Sequence, residues 1–469
     1  MYSNMETRPL TPRNAKTKAV WVGLGLLVAS VGVFSLANSG NKAFLSKSAV
    51  REGLRAHGMQ STHTRTGSSS FSIRQHPNSI FGISRLHGGN AQSTTRVQST
   101  SGIPDPNNAD GFESNISPSI AEKVGAQLHL QQDHPLNIIK KKIEAYFDSM
   151  SGDNHKFKSF DDLDAYVSTQ ACFDDVLVPP DHVSRKISDT FYKSPTEVLR
   201  THTSAHQTEL LRKGERAFLV TGDCFRRDEI DASHYPVFHQ MEGVKVFDPK
   251  DTPNLSVDMV VEDLKKHLEG MVKVIFGEVE MRWVDAYFPF THHSMELEVF
   301  FNGDWLEVLG CGVMQEKILE SSGIGPGKGE HMAWAFGMGL ERLAMVLFEI
   351  PDIRLFWSKD ARFLTQFEDG KITKFKPFSK YPPCYKDVSF WLPEKFEEND
   401  VFAMVRDEAG DLVEGVELID QFTHPKTNRE SRCYRINYRS MERSLTNEEV
   451  DDIQLRVRDK MTAYGADLR

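Results

Sequence analysis

The sequence predicts an α+β protein: a mainly antiparallel sheet flanked by helices, followed by a separate small α+β domain at the C-terminus. Three observations predict it. Strand-like runs at 217–220, 244–247, 281–290, 294–301 and 305–309 are joined by turns or loops more often than by helices. Residues 257–276 form one long helix, with Leu264, Leu268, Met271 and Ile275 on a single face. Beyond a Lys/Pro/Gly-containing connector at 369–383, the last ninety or so residues carry their own apolar pattern. They end in a helix that opens on the capping box Thr446-Asn447-Glu448-Glu449 and buries Val450, Ile453, Val457 and Met461.

The elements are taken in chain order. Arg8, Arg13, Lys16 and Lys18 precede an uncharged apolar run from Ala19 to Ala37, a basic n-region followed by a hydrophobic h-region. A single membrane anchor is the alternative for a run of that length. From Asn38 to Pro104 the chain is rich in Ser, Thr, Arg and Gly, with Glu52 its only acid, as in an organellar transit peptide. Signal (1–37) and transit stretch (38–104) together resemble the two-part leader of plastids reached through the secretory pathway. The Ala43-Phe44 step resembles the junction inside such leaders. A mitochondrial presequence is the second reading. Residues 1–104 are therefore an address, the helix-and-sheet domain covers 118–368, and the C-terminal domain covers 376–469. With the leader removed, no stable membrane association is expected.

Composition bounds the function. With 39% hydrophobic residues in 469, the chain is neither fibrous nor disordered and has length for two or three domains. Residues 1–104 hold 12 basic side chains against 2 acidic ones, so the net charge of −10 hides a body at −20. An acidic body excludes sequence-blind nucleic-acid binding and confines any such partner to a local basic patch. The five cysteines are far apart without CxxC spacing, which points to buried free thiols rather than zinc or disulfides.

Four segments carry chemistry. In GDCFRRDEIDASHYPVFHQMEGVKVF (222–247), Arg226 stands at a strand end, where a guanidinium fork can grip a phosphate. RTHTSAHQ (200–207) packs hydroxyls, His202, His206 and Gln207 before a helix. The two histidines have metal-ligand spacing, but Thr203 stands where HExxH needs Glu, so hydrogen bonding to a small polar ligand or helix capping fits better. In YFPFTHHSMELEVF (287–300), Phe288 and Phe290 lie two apart on an expected strand and so share a face, as do Glu296 and Glu298; Glu307 is similarly placed in WLEVLGCGVM. WAFGMGLERLAMVLFEIP (334–351) reads as a strand, a Gly-x-Gly turn and a helix ended by Pro351, with Arg342 in the first turn off the core stripe. The glycine pair lacks the third Gly of a dinucleotide fingerprint. GIGPGKG (323–329) lacks the leading Gly and trailing Ser/Thr of a phosphate loop and reads as a mobile loop.

An Arg in a strand–loop–strand hairpin, followed by Gly-x-Gly-x-Glu-Arg opening a helix, resembles motifs 2 and 3 of the class II aminoacyl-tRNA synthetases. His134-Pro135-Leu136 stands where motif 1 belongs. THTSAHQ, FRRDEIDASHYPVFHQMEG, YFPFT, WLEVLGCGVM and AFGMGLERL, in that order, resemble the phenylalanine-specific, single-chain organellar branch over roughly 130–469. The resemblance implies a phenylalanine–tRNA ligase that forms phenylalanyl-adenylate from L-phenylalanine and ATP with Mg²⁺. The phenylalanyl group then passes to the terminal ribose 2′-OH of tRNA(Phe). It implies that Arg226 holds the α-phosphate and that Arg342 and Phe238 sandwich the adenine. His202, Ser204, Ala205, His206, Gln207, His239, Gln240 and Glu242 would surround the amino acid's polar end. Ser233, His234 and Tyr235 would reach ATP and the acceptor end from the motif 2 loop. Phe288 and Phe290 would clasp the ring over a floor of Ala335 and Phe336, with Glu307 near the ammonium group or Mg²⁺. His292 stands where bacterial relatives carry a Mg²⁺-associated Glu, so the metal ligands stay unassigned. The C-terminal domain resembles the ferredoxin-fold anticodon-binding module, with Lys426, Arg429, Arg432, Arg435 and Arg439 as its phosphate-contacting side chains and Tyr434, Ile436 and Tyr438 as its core face. The fused architecture implies a monomer without an editing domain. A non-catalytic tRNA-binding paralogue, or a ligase for another carboxylic acid, is the competing reading; both would be expected to depart from the Arg226/Arg342 pair or the Phe288/Phe290 pair.

Overall fold

The computed structural model describes residues 102–107, 111–150, 156–325, 331–367, 370–377 and 381–469. Residues 1–101, nearly all of the stretch expected to be a leader, lie outside the described residues, as do most of the glycine loop 323–329 and part of the connector 369–383.

The central sheet is built from seven strands: β1 (Lys158–Phe160), β2 (Ala217–Phe225), β3 (Val237–Phe247), β4 (Glu280–Asp285), β5 (Thr291–Phe301), β6 (Asp304–Met314) and β7 (Met332–Gly339), in the order β1-β2-β3-β7-β6-β5-β4. Only β1 and β2 run parallel; the other pairs are antiparallel. Strand alternation gives the sheet two apolar faces. One face packs on α1 (Pro135–Met150), α3 (Val257–Phe276) and α4 (Leu340–Phe348), through Leu219, Met241, Leu297, Leu309, Trp334, Phe336 and Met338 among others. The opposite face, bearing Val220, Val244, Phe288, Phe290 and Ala335, is covered by shorter elements that include α2 (Gln207–Arg212) and a small three-stranded sheet.

The helix over 257–276 has the predicted limits because both ends are chemically marked. Ser256 accepts a hydrogen bond from the Met259 amide at its start. Gly277, at φ +79°, takes the left-handed turn that stops it. The strands are longer than the apolar runs suggest: 217–220 extends to Phe225 and 244–247 begins at Val237, because ladder pairing from Ala217↔Lys245 to Phe225↔Val237 includes the polar residues between. The expected strand 281–290 instead ends at Asp285, and Phe288–Phe290 forms a turn around Pro289, whose ring nitrogen has no ladder donor.

The C-terminal domain holds β8 (Cys384–Trp391), α5 (Glu398–Ala409), β9 (Val413–Thr423), β10 (Glu430–Tyr438), α6 (Asn447–Ala463) and β11 (Asp467–Leu468), with sheet order β9-β10-β8-β11. Tyr434, Ile436 and Tyr438 are buried in its core with Val450, Ile453, Val457 and Met461. Thr446 and Glu449 form the reciprocal capping box. Cys172, Cys224 and Cys311 are buried thiols as expected, whereas Cys384 and Cys433 are half-buried on this smaller sheet. Among the described residues, no helix is long and apolar enough to cross a membrane.

Candidate active site

The site lies on the sheet face opposite the long helices. Glu242 and Gln240 are two apart on β3 and so share this face with Ala335 and Gly337 of β7 and Gly310 of β6. Small residues there leave room above the sheet. Ser204, Gln207, Glu242, Phe288, Phe290, Thr291, Gly310, Cys311, Ala335 and Phe336 line a small cavity.

Its polar end is the short turn Thr203–His206 leading into α2, which lies over β3. Glu242 is buried and accepts hydrogen bonds from the Ser204 hydroxyl, from Gln207 Nε2 at 2.6 Å and from Thr203 Oγ1 at 3.4 Å. Burial raises its proton affinity to a pKa of about 7 despite these donors. The network also fixes both amides. A carboxylate only accepts, so Gln207 turns its NH₂ to Glu242 and its Oε1 away. Gln240 Oε1 accepts from the Thr203 amide at 3.4 Å and faces Cys224 Sγ at 3.7 Å, so its NH₂ points elsewhere. Gln207 Oε1, Gln240 Nε2 and His202 Nδ1 are buried without a hydrogen-bond partner among the described residues. Unmet acceptors and donors beside a carboxylate suit a zwitterionic ligand. His202 is neutral: burial and Arg226 lower its pKa to about 3.

The apolar end is formed by Phe288 and Phe290, whose rings are parallel within 8° at 6.0 Å between centroids. They come from a turn rather than from a strand, so the shared face follows from the Pro289 bend. Thr291 and Ser294 hydroxyls hold its base, 2.7 Å apart, and the Phe288 amide donates to Ser294. Gly312 is required beneath this turn: a Cβ there would lie 2.8 Å from Thr291 Cβ.

Arg226 and Arg342 flank β3. Arg226 follows β2 on one side; its Nε donates to the Thr201 carbonyl at 2.9 Å, and its Cζ lies 4.9 Å from the Phe238 ring centroid. Arg342 lies in the first turn of α4, which leaves β7 on the other side, with Nη1 4.0 Å from Glu307 Oε2. The Phe238 ring thus meets Arg226 here, a pairing the expected Arg342–adenine–Phe238 sandwich does not include.

Several expected site residues lie elsewhere. His206 is buried against Arg200 Nη1 at 2.9 Å, with Glu209 on its other nitrogen, and so faces away from the cavity. His239 projects to the helix side of β3, where it bonds Glu341. The Phe336 ring also lies on the helix side, stacked on Phe147, so Ala335 alone contributes a side chain to the floor. Ala205 is part of the apolar packing under the turn. Ser233 and His234 bond Asp231, and Tyr235 donates to Asp411 of the C-terminal domain with its ring on Trp357. The loop between β2 and β3 is covered by that domain: Arg227 meets Asp400 at 3.2 Å and Arg406 donates to the Asp228 carbonyl at 2.7 Å.

The basic stripe of the C-terminal domain is largely neutralised. Arg435 makes a two-pronged bond to Asp387 at 2.8 and 2.9 Å, Arg439 meets Glu414, and Arg429 meets Asp467. Arg432 falls on the core side of β10 beside Tyr434 and Glu398, because it shares that strand's inward alternation. Lys426 is exposed. Sequence reasoning missed Thr203, Thr291, Gly310 and Glu341; each stands within a quoted motif, and strand alternation or the neighbouring Arg342 was the available signal.

Residues 120–367 match the family described as tRNA synthetases class II core domain (F), and 379–469 match the ferredoxin-fold anticodon binding domain. The chain belongs to the class II tRNA synthetases. It is 58% identical over 356 residues to the Arabidopsis thaliana protein named phenylalanine–tRNA ligase, chloroplastic/mitochondrial, covering 75% of this chain and 82% of that one. It is 50% identical over 401 residues to the mitochondrial phenylalanine–tRNA ligase of Dictyostelium discoideum, covering 74% and 87%. With the mitochondrial phenylalanine–tRNA ligase of Saccharomyces cerevisiae it shares 40% over 440 residues, covering 77% and 93%.

Proposed function

We propose that the chain ligates L-phenylalanine to tRNA(Phe) inside an organelle, by way of an ATP-derived adenylate formed in the cavity above β3. The observation that carries this reading is the joining, in one cavity, of the parallel Phe288/Phe290 pair to a buried carboxylate with unmet amide groups around it. Such a cavity suits an amino acid with an aromatic side chain. Its ammonium group would meet Glu242 and Gln207 Oε1, its carboxylate would meet Gln240 Nε2, and its ring would lie against the two phenylalanines over Ala335.

Arg226 would hold the ATP α-phosphate as the substrate carboxylate attacks phosphorus and pyrophosphate departs. Arg342 would lie on the adenine. This chemistry needs no protein nucleophile: alignment of two bound reactants and a fixed cation at the developing charge supply the rate. The carboxylates of Glu307 on β6 and Glu296 on β5, on the ligand face of the sheet, fit the oxygen-donor preference of Mg²⁺, which is commonly held by one or two carboxylates together with substrate phosphates. Bound there, the ion would offset phosphate charge. The C-terminal domain would engage tRNA through Lys426 and through arginines exchanging their carboxylate partners for phosphate. The fused domains support a monomer.

The names of the relatives support an organellar destination, and the leader pattern adds a plastid or mitochondrial choice. A reporter fused to residues 1–110 tests that choice by where its fluorescence accumulates. The catalytic reading is tested by ATP–pyrophosphate exchange with each amino acid in turn. Exchange that responds to phenylalanine alone supports it, and exchange that needs another carboxylic acid overturns it.

A further inference from the structure

β7 stops pairing with β3 at Gly339↔Gln240, whereas β2 follows β3 on the other side down to Phe225↔Val237. The edge of β3 facing α4 therefore loses its strand neighbour over Val237, Phe238 and His239. The first turn of α4 takes over. The Glu341 carboxylate accepts from the His239 backbone amide at 2.7 Å and from His239 Nδ1 at 2.7 Å. Both side chains are buried, at 0% and 4% exposure. The helix start has no side-chain cap of its own, its cap position being Gly339. Glu341 bonds across to the strand instead of back to its own helix, while its charge still sits at the positive helix end.

We infer that the His239–Glu341 pair is a positioning device that sets the nucleotide-binding geometry of Arg342 against Phe238. The inference rests on the proposed role of Arg342 at the adenine. Each partner of the pair is one residue from a side chain on the ligand face: His239 lies between Phe238 and Gln240, and Glu341 precedes Arg342. A two-pronged, charge-assisted bond constrains both translation and rotation. Without it, the helix start could pivot about Gly339, and Arg342 would leave the plane that Phe238 defines. Amino-acid contacts at Glu242 and Ser204 lie beyond Gln240, where β7 still pairs with β3, so they stay in place. His239 and Glu341 touch no substrate in this scheme.

The test uses the full mature chain and reads the KM for ATP and for phenylalanine separately in pyrophosphate exchange. An Asn amide nitrogen falls near the place of His Nδ1, whereas a Gln amide reaches toward the place of Nε2. His239→Gln is expected to raise the KM for ATP about tenfold or more, the usual cost of losing a buried charge-assisted bond. The KM for phenylalanine should change less than twofold, and His239→Asn should recover most of the ATP affinity. Glu341→Gln, which sets an NH₂ against one of the two donors, should show the same split. A parallel rise in both KM values, an Asn variant as poor as the Gln variant, or an unchanged KM for ATP overturns the inference. Loss of the fold in both Gln variants also overturns it, since the pair would then be structural only. Arg342→Ala separates the inference from the reading beneath it. If that variant keeps the wild-type KM for ATP, the nucleotide assignment fails. If it raises the KM while His239→Gln does not, only the positioning inference fails.

Discussion

Replacing Glu242 tests the amino-acid end of the cavity, and the structure gives the size of the effect. Glu242 is 2% exposed, and burial moves its pKa from 4.5 to about 7. That difference corresponds to roughly 3 kcal/mol favouring the protonated form in the free protein. The sign follows from linkage. The raised pKa means that the folded state binds the proton more tightly than the unfolded chain, so stability from this group is full below about 4.5 and is lost as pH climbs toward 7. Phenylalanine binding should show the opposite trend, because its ammonium group seeks the ionised carboxylate. Between pH 7.5 and 5.5 the affinity of the free enzyme for phenylalanine should fall about twentyfold, since binding first requires loss of the Glu242 proton. Glu242→Gln removes the charge and sets an NH₂ against the donors Ser204 and Gln207. Its affinity at pH 8 should drop about a hundredfold and lose most of its pH dependence. Calorimetric titration of phenylalanine into both proteins from pH 5.5 to 8.5 reads this directly. A flat wild-type profile, or a variant with wild-type affinity, would refute the placement of the ammonium group at Glu242.

Other outcomes are expected. Arg226→Ala should keep its melting temperature, since among the described residues the Arg226 side chain donates only to the Thr201 carbonyl, and should lose about 10³ in pyrophosphate exchange. Gly312→Ala should force Thr291 away from the aromatic turn, lowering stability by about 1–3 kcal/mol in a denaturant titration and raising the KM for phenylalanine. The apolar cavity should reject tyrosine by only about 10² relative to phenylalanine in kcat/KM, and purified enzyme should not hydrolyse preformed Tyr-tRNA.

The helices and the C-terminal core were legible because caps and apolar stripes are local signals: the Leu264–Ile275 stripe, the Thr446 capping box and the Val450–Met461 stripe need no tertiary partner to be recognised. The motifs also contain Glu242, Gln240 and Ala335, which strand register sets on one face of the sheet. What misled was side-chain direction. Neighbouring residues on a strand point to opposite faces, so a contiguous motif cannot place His239 with Gln240, or Phe336 with Ala335, in one cavity. The turn at Pro289 produced the aromatic pair by a route other than strand alternation. The partner of Tyr235, Asp411 of the C-terminal domain, was not legible because it lies far away in sequence, whereas His234 bonds Asp231 only three residues before it. The basic strand near Arg435 looked like a free phosphate surface because its counter-charges, Asp387 and Glu414, come from neighbouring strands.

The most direct test of the central claim is competition between the two substrates' sites in one protein. Phenylalanyl-sulfamoyl-adenosine, a non-hydrolysable mimic of the adenylate, should bind with one equivalent per chain, displace both ATP and phenylalanine, and lose affinity in Arg226→Ala, Arg342→Ala and Glu242→Gln alike. A mimic that displaces only one of the two substrates, or that is indifferent to any of those three replacements, would contradict a single shared cavity.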